Sequence, residues 1–258
     1  MSSIWLPQAK FVDASDLFRL IRMVKSQDEI HGLRKACELN DEAVSAMFRS
    51  AMVGATELEL SAEFYKHVGG GRGTVGWQHL GSGRRSAGIF PPSAKKLERG
   101  DLLRTDVGIY LNSLHSDVCA TGVLGEPTAK QKNCLLPEQK ESPIVLNFAD
   151  QGAARQNSSR RSIVAPNKPA WMNTKNSSVT PSASRRGNSP SSLPRQKSST
   201  ALFSPKLATY PLQENMVINV KTALVELGMG GIQIEHTLLI KKDGFEFLTA
   251  EPRHLMTI

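Results

Sequence analysis

Asp106 and Asp117 are the residues of this 258-residue chain whose type and spacing point most directly to chemistry. They bracket the stretch DVGIYLNSLHSD. In it Val107, Ile109 and Leu111 alternate with Asp106, Gly108 and Tyr110, the period of two of a half-buried strand. Asn112 and Ser113 are turn formers, and Leu114 to Ala120 can return antiparallel. With those two residues as the loop, Leu111 opposes Leu114 and Gly108 opposes Asp117. Asp106 then lies one diagonal step from Asp117 on the same face of the ribbon, within about 7 Å. Two carboxylates so placed repel unless a cation lies between them, and a hard divalent cation takes oxygen ligands of this kind. Gly108 leaves room for it. A pair of solvated surface acids is the competing reading. His115, two residues before Asp117, points to the same face and is a weak candidate for touching substrate.

The surrounding residues add order to this pair. Gly100-Asp-Leu-Leu-Arg-Thr-Asp106-Val-Gly108, then Ser116-Asp117, then Gly125-Glu-Pro127, resemble the metallopeptidase family of methionine aminopeptidase, prolidase and creatinase. The run from Met216 to Leu248 resembles that family's last hairpin, most of all in its Xaa-Pro peptidase branch. The likeness covers residues 20–132 and 211–250. It implies an α+β pita-bread fold, here incomplete and interrupted by a disordered basic insert. It also implies that Asp106 and Asp117 are metal ligands. Of the two glutamates that the family's last hairpin supplies, Glu235 matches the second, in the pattern G-G-x-x-I-E, whereas Lys221 occupies the position of the first. The family's histidine ligand comes from a Gly-His-Gly-type strand, but no histidine stands between His115 and His236. The family's substrate-facing histidine falls near Phe90. His79, eleven residues earlier, is a weak site candidate for which ordinary packing is the alternative.

Charge limits what such a site can hold. Asp106, Asp117 and Glu235 carry −3 and Lys221 offsets one of these, so a net −2 balances one divalent ion at most. Manganese, cobalt or zinc could serve, and oxygen-rich ligands lean towards manganese. The implied activity is that of an Xaa-Pro aminopeptidase or dipeptidase, hydrolysing N-terminal peptide bonds of short peptides. With one histidine and one glutamate missing, that activity is expected to be impaired. The alternatives are a noncatalytic relative that binds peptides or proteins and a basic scaffold that meets nucleic acid through the insert; a second copy of the chain, in a homodimer, is a candidate partner.

The elements that must position these residues are also legible. Ser26-Gln-Asp-Glu29 is a capping box, and Ile30, Leu33, Cys37, Val44, Met47 and Phe48 follow at helical spacing. Thr56 to Glu59 opens a second helix that carries Leu60, Phe64 and Val68 and ends at Gly69-Gly-Gly71. Val217, Asn219 and Lys221 alternate along one strand, Gly228 to Gly231 turns, and Ile232 to Thr237 returns. Asp243-Gly244 turns again between Ile240 and Phe245. The chain therefore divides into an N-terminal remnant or linker (1–25), a first part of the peptidase-like domain (26–133), a Ser/Pro/Arg-rich segment (134–210) and a C-terminal hairpin (211–258).

The third segment decides the question of partners. Residues 151–206 hold ten Lys or Arg and no Asp or Glu. The chain as a whole is +8, so everything outside them is net −2. Prolines recur and neither structural period appears, so disorder is expected there. The basic pI of about 9.5 belongs to this insert, and with few aromatics among its basic residues, Trp171 being the exception, it argues against a dedicated nucleic-acid surface. Its length matches what the family places there while its composition does not. Two compensating reading-frame shifts would leave that result, and a genuine insertion is the alternative. Three scattered cysteines, Cys37, Cys119 and Cys134, suit a cytoplasmic protein without disulfides and read as buried or incidental thiols. No apolar run is long enough to span a membrane.

Overall fold

The computed structural model describes residue 8, residues 12–132, 212–226, 228–250 and 255–258, and the backbone of 178–181. Helix α1 (Ser15–Met23) lacks a side-chain cap and buries none of its residues, and it was not foreseen within the N-terminal segment. Its end is held by the far hairpin: Val24 bridges Met216, and Lys25 N donates to Asn215 O at 2.9 Å.

Helix α2 (Gln27–Arg49) begins at the predicted capping box. Glu29 N donates to Ser26 Oγ at 3.2 Å and Ser26 N donates to Glu29 Oε2 at 2.7 Å. Helix α3 (Glu57–Gly70) begins at an equivalent box on Thr56 and Glu59. These reciprocal bonds satisfy donors that a helix start leaves bare. The apolar stripe of α2 divides between two clusters. Val44, Met47 and Phe48 join Leu60, Phe64, Val107 and Ile109, whereas Ile30, Leu33 and Cys37 pack on Val217 and Leu239. One helix thus supports both halves of the fold.

Strands β1 (Thr74–Ser82), β2 (Leu102–Leu111), β3 (Leu114–Val123) and β8 (Met256–Thr257) form one sheet in the order β1-β2-β3-β8. Strands β4 (Ser178–Pro181), β5 (Val217–Glu226), β6 (Gly230–Lys241) and β7 (Gly244–Phe247) form the other, in chain order. The β2–β3 register is the predicted one, with Leu111 opposite Leu114 and Gly108 opposite Asp117. Asn112 (φ 49°) and Ser113 (φ 65°) supply the left-handed residues of a two-residue hairpin turn. The strand itself differs from a half-buried one. From Leu102 to Ile109 both faces are buried, because α2 and α3 cover one face and β6 lies over the other.

The two sheets meet along β3 and β6. Thr121 Oγ1 donates to Gln233 O at 3.0 Å and accepts from Gln233 N at 2.9 Å. Close approach continues at Gly231, whose N donates to Ser86 Oγ at 2.8 Å; a Cβ there would lie 2.5 Å from Ser86 O. Beneath, the wholly buried Glu57 accepts from Ser82 N, Ser82 Oγ, Ser93 N, Ser93 Oγ and Arg85 Nε, which fastens α3 to the loops flanking β1.

Residues 151–206 were expected to lack regular structure, and four of them do not. Ser178 to Pro181 pair with β5, Ser178 opposite Lys221 and Pro181 opposite Ile218. Val179 and Thr180 are good strand formers, and an edge strand accepts proline at its end. The expectations for the rest of 133–177 and 182–211 lie outside the described residues. Among the described residues, no helix is long and apolar enough to cross a membrane.

Candidate metal centre

Because side chains two apart on a strand share a face, β2 and β3 present Asp106, Gly108, Tyr110, His115, Asp117 and Cys119 together. On β6 the same alternation sets Gln233 and Glu235 on one face, and Lys221 lies directly opposite Glu235 across the β5–β6 ladder. The two sets meet where the sheets meet. Lys221 Nζ lies 3.2 Å from Asp106 Oδ2 and 2.9 Å from Glu235 Oε2. Gln233 Nε2 donates to Asp106 Oδ2 at 3.1 Å, and Trp77 Nε1 donates to Asp106 Oδ1 at 3.1 Å. Cys119 Sγ lies 2.9 Å from Glu235 Oε2 and 3.0 Å from Gln233 Nε2. Asp106, Asp117, Glu235 and Lys221 are therefore in one place.

The electrostatics are those of a cation site. Burial pushes the Asp106 carboxyl up, but the Lys221 ammonium and the Trp77 and Cys119 hydrogen bonds outweigh it, so it titrates below the usual carboxylate range. Asp117 is pushed up to about 8, by burial first and then by the negative field of Glu235. Burial also raises Glu235, against the pull of Lys221. Burial alone would lower Lys221, yet the surrounding Cys119, Glu235, Asp117 and Asp106 together raise it, so it stays an ammonium. Burial and the field of Glu235 thus work against the full negative charge at Asp117 while no cation lies beside it. Asp117 Oδ1 and Glu235 Oε1 are buried without a hydrogen-bond partner. Two acceptor-only carboxylates can bond to each other only when one of them is protonated.

The remaining candidates lie around this cluster. His79 is opposite Asp106 in the β1–β2 ladder and half-buried, and its own carbonyl accepts from Thr105 Oγ1 at 3.1 Å. His115 stacks between Trp77 and Tyr110, at ring-centroid distances of 4.4 and 4.9 Å. It forms part of an aromatic wall beside the carboxylates. Phe90 is exposed, with the Arg85 guanidinium 5.1 Å from its ring centre.

Three participants were missed. Cys119 was read as a buried or incidental thiol; it is buried, and it also stands within the cluster, while Gln233 and Trp77 were not singled out. Cys119 is two after Asp117 and Gln233 two before Glu235, so the same period of two that aligned the acids also marked these. Trp77 carried no such signal. It reaches Asp106 only through the β1–β2 register, in which it opposes Gly108; a Cβ on that glycine would lie 2.4 Å from the indole.

Comparison with known proteins shows the family and the fold. The family pattern of "Metallopeptidase family M24" matches residues 31–137, ending where the composition changes. The Xaa-Pro dipeptidase of Pyrococcus horikoshii is 31% identical over 261 residues, covering 96% of this chain and 68% of that protein. The Xaa-Pro dipeptidase of Pyrococcus furiosus is 28% identical, covering 96% of this chain and 69% of that protein. Among solved structures, the prolidase from Pyrococcus horikoshii superposes with a TM-score of 0.67 at 26% identity, over 93% of this chain and 67% of that one. The X-Pro aminopeptidase from Thermotoga maritima gives 0.71 at 22% identity, over 99% and 70% of the two chains, and shows the fold alone. That fold is the α+β pita-bread fold, and the chain belongs to metallopeptidase family M24, on the side of its Xaa-Pro peptidases.

Proposed function

We propose that this chain is a reduced Xaa-Pro-type peptidase whose centre holds at most one divalent ion and hydrolyses peptides poorly. The observation that carries this reading is Lys221, whose ammonium sits 3.2 and 2.9 Å from two of the expected ligands, Asp106 and Glu235. A cation built into the chain performs there the charge balance that a metal otherwise performs.

The residues fit one divalent ion and do not fit two. Unpartnered buried oxygens on Asp117 and Glu235, beside Asp106, are a suitable oxygen set for one. For a second, a lysine stands where a carboxylate is needed, and β4 carries no histidine. A divalent ion at Asp106 and Asp117 would polarise a bound water and a substrate carbonyl. The chain's own residues do the rest. Trp77 Nε1 and Gln233 Nε2 fix the two oxygens of Asp106. The rings of Trp77, Tyr110 and His115 offer an apolar wall on which a proline ring or an apolar side chain of a short peptide can pack. Titration with manganese by calorimetry, alongside hydrolysis of Xaa-Pro dipeptides, tests the reading. We expect weak, substoichiometric binding and little turnover for the native chain, and tighter binding for Lys221→Glu. Turnover should recover only when Lys221→Glu is combined with residues 134–210 translated in the alternative frame. Two tightly bound ions and full turnover in the native chain would overturn it.

The aromatic wall also favours a second reading, in which the chain holds peptides without cleaving them. Calorimetric binding of an Xaa-Pro dipeptide that is recovered intact supports that reading and separates it from the first.

A further inference from the structure

The most compact donor set among the described residues is not the three carboxylates. It is Asp106, Asp117 and Cys119, one ligand atom from each lying within 4.8 Å of the others. The backbone explains the arrangement: Cys119 opposes Asp106 in the β2–β3 ladder and lies two residues after Asp117, so all three share one face. The thiol is fully buried, with Gln233 Nε2 3.0 Å away and Glu235 Oε2 2.9 Å away. An independent feature marks the same spot as one that lacks a ligand. Glu235 is 0% exposed, yet no donor reaches its Oε1 or the neighbouring Asp117 Oδ1, so as carboxylates the two oxygens only repel each other. Buried polar atoms without partners are costly, and a cation satisfies several at once.

We infer that Cys119 is a metal ligand in this chain: its thiolate, with the carboxylates of Asp106 and Asp117, holds a single borderline-soft divalent ion such as zinc or cobalt in preference to manganese. The inference rests on the proposed one-ion centre and revises the expectation of manganese drawn from oxygen ligands alone. Thiolate is a soft donor, and a sulfur in the set turns selectivity away from hard ions. On binding, the S–H bond breaks and a sulfur–metal bond forms; the thiol proton, and any proton held by Asp117, pass to solvent, with no change of oxidation state. Lys221, 21% exposed on a flexible four-carbon stem, can swing its ammonium out towards solvent. Gln233 Nε2 then donates to the bound sulfur, and Glu235 Oε1 is free to complete the set. The chain thereby recovers a ligand in place of the missing histidine from a different strand.

The test uses the full chain. Cobalt(II) is titrated while near-ultraviolet sulfur-to-cobalt charge-transfer absorption is followed, and zinc and manganese affinities are measured by calorimetry for the native protein, Cys119→Ser and Cys119→Thr. The native chain should develop the absorption band and prefer zinc. Cys119→Ser should lose the band and bind zinc roughly 10–100-fold more weakly, the span seen when even a supporting residue of a metal site is lost, with manganese affinity little changed. Cobalt bound without the band, a reading that needs no variant to fold, overturns the thiolate ligand and leaves the one-ion centre standing. An unchanged zinc affinity in Cys119→Ser does the same. Absence of binding by any of the three metals overturns both.

Discussion

Replacing Lys221 with methionine keeps an unbranched side chain one atom shorter and removes its charge. The ammonium makes two close ion pairs, with side chains that are only 10% exposed at Asp106 and 0% at Glu235. Breaking a buried pair by removing one partner costs about 3–5 kcal/mol, because the other charge is left uncompensated. Trp77 and Gln233 still hold Asp106 after the substitution, so the lower end, about 3 kcal/mol, applies. At about 2–4 °C per kcal/mol for a chain of this size, the metal-free melting temperature should fall by roughly 6–12 °C. The same variant should regain stability from a divalent ion, about 2.7 kcal/mol when the ion is supplied at 100 times its dissociation constant. Thermal unfolding of both proteins in chelator and in graded zinc measures both effects. A loss below about 1 kcal/mol, together with no difference in metal response, would show that Lys221 is not standing in for a cation.

Further outcomes follow from other parts of the fold. Glu57→Ala leaves five donors without their acceptor and should lower unfolding free energy by about 3–5 kcal/mol, read by chemical denaturation. Gly231→Ala drives a methyl against Ser86 O and should cost about 1–3 kcal/mol in the same assay, since neither backbone can give way easily. His236 is held down to about 4 by burial, so between about 6.5 and 4 the unfolded chain binds a proton that the folded chain does not. Its contribution is complete above 6.5 and lost as pH falls towards 4, on the order of 3 kcal/mol in total. Asp117 opposes it with a raised value of about 8, so the readout is the difference between native and His236→Phe stability across that range. A difference that does not vary with pH would show that His236 titrates normally.

What was legible in the sequence was short-range. Ser26 with Glu29 and Thr56 with Glu59 marked both long helices, because capping-box partners are three residues apart and find each other without help from the fold. The β2–β3 register was legible because a two-residue loop leaves a hairpin no freedom of pairing. The place of Lys221 came from the resemblance to the family's last hairpin, whose first glutamate it replaces, and not from the alternation of β5 and β6 alone. What escaped notice depended on contacts between distant segments. The burial of both faces of β2 requires β6. The indole of Trp77 on Asp106 requires β1 to lie beside β2, and the strand at Met256–Thr257 is two residues that pattern alone cannot distinguish from a tail. Cys119 is the instructive case: its place on the face was readable, but a thiol's role depends on its neighbours across the seam, and these lie more than a hundred residues away.

The Thr121–Gln233 stitch, which spans 112 residues, also has a consequence in time. On a ribosome, β2 and β3 emerge long before β6. Until β6 arrives, the face that bears Asp106, Asp117 and Cys119 has neither Lys221 nor Glu235 against it. Contacts so distant in sequence form slowly, since the intervening loop must close first. A nascent chain therefore passes through an interval in which two carboxylates and a thiol face water together, and available zinc can bind them before the lysine does. The ion that a mature molecule carries, or lacks, could thus be decided by the order in which its two halves are made.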